Sequence, residues 1–207
     1  MTSSGLITDD VEVSVIDPAI AKSVVATSEG HTVLQGAVEQ VAIGEIVRYR
    51  LVVDVAEGRT VDLVVSDPLP GGLQYLAASG VRVAAVSQTA ADVVLSEGDP
   101  ATWTLTPPST TTAPALLDGA NSALLPSDRV GYADDALTIS LGDVLNGAGN
   151  VEVEQLILEF NALVLNSDQN DGRVGQNQPQ RLKSNTATAS HRQGADRASI
   201  TSNQVQV

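Results

Sequence analysis

The sequence predicts an all-β, antiparallel β-sandwich, and three observations lead to it. β-Branched and apolar residues alternate with polar ones at period two in segment after segment, the pattern of half-buried strands. Valine, alanine, threonine, serine and glycine dominate the 207 residues, and helical Leu/Glu/Lys patterning is scarce. The stretch Val61 to Tyr75 is a strand that runs into a turn rich in proline and glycine.

The elements follow in order. Residues 1–10 read as a flexible leader, and Val11, Val13 and Val15 alternate along a strand ending at Asp17-Pro18. A strand over Ala19 to Thr27 places Ile20, Lys22 and Val24 on one face. Gly44 to Val55 carries Val47, Tyr49, Leu51, Val53 and Val55 on one side, with Arg48, Arg50 and Asp54 on the other. After a turn at Glu57-Gly58, Val61, Leu63, Val65 and Asp67 share a face, and Pro68 is expected to stop the ladder.

Short strands are expected at 73–77, 81–87, 91–96 and 101–106, with Trp103 as a core anchor. Residues 107–135, rich in Pro, Thr, Ser, Ala and Asp, read as a long surface excursion. Leu137 to Gly142 resumes the sheet, and Val151 to Leu165 is a long apolar strand with room for a bulge. A polar loop over 166–180 precedes closing strands at Leu182 to Ser190 and Ala198 to Val207. Residues 11–207 therefore read as one domain. Its ends, Val11-Glu-Val-Ser-Val15 and Asn203-Gln-Val-Gln-Val207, resemble each other, as linking strands (11–17 and 203–207) of a tandem array would.

Composition narrows the function. Acidic residues number 25 against 11 basic ones, a formal charge of −14, which argues against nucleic acid or an anionic membrane surface as a partner. Without cysteine there is no disulfide framework and no thiolate metal site. No apolar run approaches the roughly 18 residues of a membrane span. The first ten residues lack a basic and an apolar region, so they do not read as a signal peptide. For a secreted parent, the chain is expected to be an excised piece.

Asp67 is the odd residue on its face. A carboxylate among apolar side chains needs a partner or a chemical role, because a lone buried charge is costly. Lys22 shares its face with Ile20 and Val24, and Asn185 shares parity with Ala187 and Ala189. Burial pushes a lysine toward its neutral, nucleophilic form and an aspartic acid toward its protonated form. Such a pair aimed at the Asn185 carboxamide could form a Lys–Asn amide, with Asp67 moving protons as ammonia leaves. The bland alternative is a buried Lys22–Asp67 salt bridge with Asn185 as a structural hydrogen-bonder.

Glu159, in the run Leu156 to Phe160, is the alternative acid, though an outward strand charge is its simpler role. Lys183 competes with Lys22 by proximity to Asn185 and reads as a surface residue. Asp168, Asn170 and Asp171 have the composition of a calcium loop, but the glycine spacing does not match and a solvated turn is the simpler expectation. Calcium is the one cofactor that this loop would admit. Asp134-Asp135 is unspecific, and His31 and His191 read as surface residues. No nucleophile elbow or phosphate loop appears.

Four segments carry a family resemblance in this order: Lys22-Ser-Val, Gly44-Glu-Ile-Val-Arg-Tyr-Arg-Leu51, Ser66-Asp-Pro-Leu-Pro-Gly-Gly-Leu-Gln-Tyr75 and Ser184-Asn-Thr-Ala-Thr-Ala189. Together they resemble the repeated Ig-like domains of large bacterial surface adhesins and the related isopeptide-forming fimbrial domains. The likeness spans about 11–207, with 107–135 outside the usual pattern, and Pro68 stands where the family usually has threonine. The resemblance implies an Ig-like, pilin/adhesin-type sandwich with a long inserted loop. It implies an internal isopeptide bond between Lys22 and Asn185, with Asp67 as the acid. It also implies a structural stalk repeat at the bacterial cell surface, outside the cell. Neighbouring repeats of the same polypeptide would be its partners, and self-cross-linking would replace turnover of a substrate. The alternative is a ligand-binding adhesin domain that takes a glycan or host protein on the 107–135 loop.

Overall fold

The period-two pattern becomes stacked sheets in the computed structural model, which describes residues 19–30, 34–35, 38–39, 41–87, 93–98, 102–147, 153–167 and 183–206. The first half holds β1 (Ile20–Thr27), β2 (Leu34–Gln35), β3 (Val38–Glu39), β4 (Ile46–Val55), β5 (Gly58–Pro68), β6 (Leu73–Tyr75), β7 (Arg82–Val86) and β8 (Val93–Ser96). Around the insertion lie β9 (Thr104–Leu105), β10 (Ser109–Thr110), β11 (Ala123–Leu124), β12 (Val130–Ala133) and β13 (Ala136–Asn146). The chain then forms β14 (Glu154–Val164), β15 (Ser184–Asn185), β16 (Thr188–Gln193), β17 (Asp196–Thr201) and β18 (Val205–Gln206).

One sheet has the order β1-β4-β14-β7-β10, with β6 and β11 added at its margins. The second runs β17-β16-β5-β13-β8-β9, with β12 on β13, and a small sheet joins β15, β18, β3 and β2. Pairing is antiparallel except for β10 on β7 and β18 on β3. The all-β antiparallel sandwich expected from the sequence is the architecture observed. Among the described residues no helix is long and apolar enough to cross a membrane.

Alternation explains how the core fills. In β4 every second residue from Val47 to Val55 is buried, and in β5 Leu63, Val65 and Asp67 are buried while Val64 and Ser66 are only partly so. Those faces meet Leu156, Leu158 and Phe160 of β14 and Leu137, Ile139 and Leu141 of β13 in one apolar cluster. The other face of β14 carries Gln155, Ile157, Glu159 and Asn161, and Leu117 of the excursion covers Ile157 and Glu159 there.

Several expectations change. β14 pairs with β4 in unbroken register from Glu154 to Leu163, without a bulge. The ladder reaches Pro68, which pairs with Ala136 and ends β5, and beyond it the Leu69 amide donates to the Asp135 carbonyl at 2.8 Å. As the last strand residue, the proline gives up no needed ladder donor. Trp103 is only partly buried, against the edge of the core, with the Arg129 guanidinium 4.7 Å above its ring. The segments 182–190 and 198–207 each split in two, because β15 and β18 leave the large sheet to pair with each other.

The 107–135 excursion is not a free loop. β10 and β11 both add to β7, and β12 forms a hairpin with β13. Asp134 and Asp135 make the two-residue turn of that hairpin, both at positive φ, a conformation Asp tolerates better than most residues. Leu117 is fully buried with Ala84 and Ile157 on the outer face of the first sheet. Residues 11–17, His31, Asp168, Asn170 and Asp171 lie outside the described residues.

Candidate functional site

Lys22 and Asp67 arrive from opposite sheets. β1 pairs with β4, placing Lys22 opposite Leu51, while β5 pairs with β13, placing Asp67 opposite Leu137. Both side chains point inward because their strand neighbours on that face are apolar, and Lys22 is 3% and Asp67 0% exposed. The Lys22 ammonium pairs with Asp67 Oδ2. It also lies 4.4 Å from the Tyr49 ring centroid and 5.8 Å from that of Phe160, so aromatic faces complete its surroundings.

The turn after Asp67 has a packing reason for each of its apolar residues. Leu69, Leu73 and Tyr75 are buried, and Leu73 donates its amide to the Pro70 carbonyl at 3.1 Å. Gly72 takes φ +94°, where a side chain would be strained. The turn therefore anchors the end of β5 and with it the position of Asp67.

Asn185 is 2% exposed, on β15. Its carboxamide is near enough to Asp67 to draw the acid's pKa down, yet among the described residues neither its nitrogen nor its oxygen completes a hydrogen bond of normal geometry. Asp67 Oδ1 likewise has no hydrogen bond among the described residues. Buried polar atoms are nearly always paired, so these three single the place out. The structure brings Lys22, Asp67 and Asn185 together in the core, where parity predicted only that each faces inward.

Burial decides the protonation of the pair. Desolvation pulls the Lys22 ammonium from its ordinary 10.5 down to about 8, against the opposing attraction of Asp67. Desolvation pushes the Asp67 carboxyl up from 3.8, while Lys22 and the Asn185 amide draw it back. Both shifts bring the neutral amine and neutral acid closer in energy to the ion pair.

Glu159 is buried but stands on the other face of the first sheet, with Ile157 rather than with Leu158 and Phe160. Its carboxylate pairs with Arg50, lies 3.6 Å from Arg48 and accepts the Leu117 amide at 3.0 Å. The sheet itself separates it from Lys22, so it is not the acid for that amine. Nor is it a solvated strand charge, because the excursion covers it. Lys183 is half-buried and His191 is partly exposed on β16. Among the described residues no group of three His, Cys, Asp or Glu residues could hold a metal.

Sequence parity did not reveal Ser202 and Asn203. Asn203 Oδ1 accepts the Lys22 amide at 2.8 Å, and its Nδ2 donates to the Lys22 carbonyl at 2.9 Å. Ser202 donates its amide to the Ala187 carbonyl at 2.8 Å, and its Oγ accepts the Ala187 amide at 2.9 Å. The only sequence signal was the polar run Thr201-Ser-Asn-Gln204 interrupting an alternating segment.

No protein-family model matches the sequence, and no curated protein does. Solved structures do. The chain is similar to pilin and adhesin domains. The major pilin subunit of Bacillus cereus matches at 12% identity over 92% of this chain and 40% of that one, with a TM-score of 0.48. The full-length major pilin SpaD from Corynebacterium diphtheriae matches at 12% identity over 92% of this chain and 35% of that one, TM-score 0.44. The collagen-binding subdomain of the Enterococcus faecalis surface protein ACE matches at 11% identity over 77% of this chain and 86% of that one, TM-score 0.35. The chain spans less than half the length of these two pilins.

Proposed function

We propose that this domain is a structural stalk repeat of a bacterial surface adhesin or fimbrial protein, stabilised by an amide bond that it forms between Lys22 and Asn185. The observation that carries the reading is the dry Lys22–Asp67 pair beside a buried Asn185 carboxamide that completes no hydrogen bond of normal geometry among the described residues. The motif resemblance supports the same assignment of roles. Neighbouring repeats of the same polypeptide are the partners in this reading, and the bacterial cell surface is its location.

The chemistry balances without a co-reactant. Proton transfer within the pair makes Lys22 a neutral amine and Asp67 a neutral acid. Nζ attacks Asn185 Cγ while the Asp67 proton stabilises the carboxamide oxygen. The Cγ–Nδ2 bond then breaks, and a proton from Nζ reaches the leaving nitrogen through Asp67. Ammonia departs, and each domain reacts once. Fixed positioning in the core supplies the acceleration that intramolecular reactions show, on the order of 7–11 kcal/mol.

Intact-mass measurement tests the bond. One bond removes one ammonia, about 17 Da, as a covalent modification of the chain. Lys22→Ala and Asn185→Ala should keep the full mass. A wild-type protein of full mass would leave Lys22–Asp67 as a buried salt bridge and overturn the proposal.

A binding role for 107–135 is the second reading, favoured by Leu116 and Leu124, which are 38% and 54% exposed on a segment anchored to the sheet. Leu116→Asp with Leu124→Asp should abolish retention on a glycan or host-protein array if the surface binds. Unaltered retention, or none in the wild type, removes this reading.

A further inference from the structure

We propose that Ser202 and Asn203 are positioning residues for the Lys22–Asn185 cross-link, holding the backbones of the two reacting segments at a fixed separation. This rests on the cross-linking reading above. The two residues are adjacent, yet each grips a different reacting segment.

Lys22 lies on β1, the edge strand of the first sheet, where its amide and carbonyl face away from β4. The Asn203 carboxamide meets both groups, at 2.8 and 2.9 Å, as a neighbouring strand would. Two bonds fix the position of the Lys22 Cα along the edge and its rotation about the strand. Ser202 grips Ala187 by two bonds, at 2.8 and 2.9 Å. Ala187 is fully buried and lies two residues after Asn185. The Ser202 hydroxyl also donates to the Asn203 carbonyl at 2.8 Å, which stiffens the link between the two grips.

β15 and β16 are separated by Thr186 and Ala187, where the chain changes sheets. Asn185 therefore has only a two-residue strand to hold it, paired at Gln206 and Val205. A bond-forming contact must close to about 3–3.5 Å, and small misplacements are costly in rate. The Ser202–Asn203 clamp supplies the missing rigidity from outside both strands. Because Asn203 lies 181 residues after Lys22, the site is complete only when the C-terminal strands have docked. Covering an exposed edge is the simpler role for Asn203, and it predicts an effect on stability without a specific effect on rate.

The test is a time course of ammonia loss after cell-free synthesis, read by intact mass. The variants are Asn203→Ala, Ser202→Ala and a control, Leu95→Ala, in β8 at the far side of the second sheet. Stabilities are measured separately in an Asn185→Ala background, where no bond forms. Asn203→Ala should slow bond formation about tenfold or more. Leu95→Ala should leave the rate of the folded domain unchanged despite an equal or larger loss of stability. Asn203→Asp keeps an acceptor for the Lys22 amide and loses the donor to its carbonyl; it should be slowed to a lesser extent, and it replaces Asn203→Ala should that variant not fold. Wild-type speed in the Asn203 variants, or equal slowing by Leu95→Ala, overturns the positioning role and leaves the cross-link standing. A wild type that never loses ammonia overturns the cross-link itself.

Discussion

Lys22 and Asp67 stand on different sheets and meet between them as an ion pair from which solvent is excluded on both sides. Removing one member leaves the other buried without compensation, at a cost of roughly 3–5 kcal/mol. Asp67→Ala should therefore keep the full mass and melt at a lower temperature than wild type. Ammonia loss from this variant would show that the acid is dispensable.

The rate of bond formation should be bell-shaped in pH. The reactive state, neutral amine with neutral acid, holds one proton between the two groups, as the ion pair does. Its population is flat between the two apparent pKa values. Below the raised Asp67 value the pair gains a second proton and the amine stays charged. Above about 8 the pair loses its last proton, and nothing remains to activate the carboxamide. Quenched-flow mass measurement across pH checks this; a rate that keeps climbing above the Lys22 value would mean that the amine alone limits it.

In the unbonded Asn185→Ala domain the same shifts set stability. Lys22 binds its proton less tightly folded than unfolded, so stability should rise with pH from about 8 to 10.5. Asp67 binds its proton more tightly when folded, so its contribution is present below 3.8 and is lost as pH rises through the higher folded value. Urea melts at stepped pH measure both limbs; stability that falls with pH between about 8 and 10.5, or that rises with pH through the Asp67 limb, would refute the assignment.

Glu159→Ala should leave the ammonia loss intact, because the carboxylate lies across the first sheet from Lys22. It should release the excursion, since Arg50 donates both to Glu159 and to the Pro114 and Ala115 carbonyls, and Glu159 accepts the Leu117 amide. Faster proteolysis within 113–117 and a loss of roughly 3–5 kcal/mol are the expected readouts. A protease pattern like that of wild type would show that Leu117 packing alone holds the segment.

Gly142→Ala should be among the most damaging single-methyl changes. Gly142 sits at φ +70° where β13 shifts register against β5, and an added Cβ would come 2.3 Å from the Ser96 carbonyl oxygen. Left-handed strain alone costs about 1–3 kcal/mol, and the backbone clash adds to it. Thermal melting of the folded variant measures the loss; a change of less than a few tenths of a kcal/mol, the scale of a neutral surface substitution, would show that β8 can shift.

Much of this site was legible in one dimension because strand parity is a local property. Lys22, Asp67 and Asn185 each share parity with apolar neighbours, and a strand sends such residues to the same side wherever it is placed. Glu159 was legible only by half. Parity separates it from Leu158 and Phe160, but nothing local shows that Leu117, 42 positions away, covers it. Trp103 misled for the opposite reason: its size suggests a core anchor, and its position beside a two-residue edge strand denies it full burial.

Sequence by itself determined the all-β class, the inward faces of the long strands and the three residues of the candidate site. Those follow from alternation and from the cost of burying charge, which act residue by residue. Tertiary structure alone decided that Lys22 and Asp67 meet from opposite sheets, that 107–135 is sewn to both sheets, and that Asn203 and Ser202 bond to the backbones of Lys22 and Ala187. Each of these depends on which strands become neighbours, and that is set by packing between residues far apart in the chain.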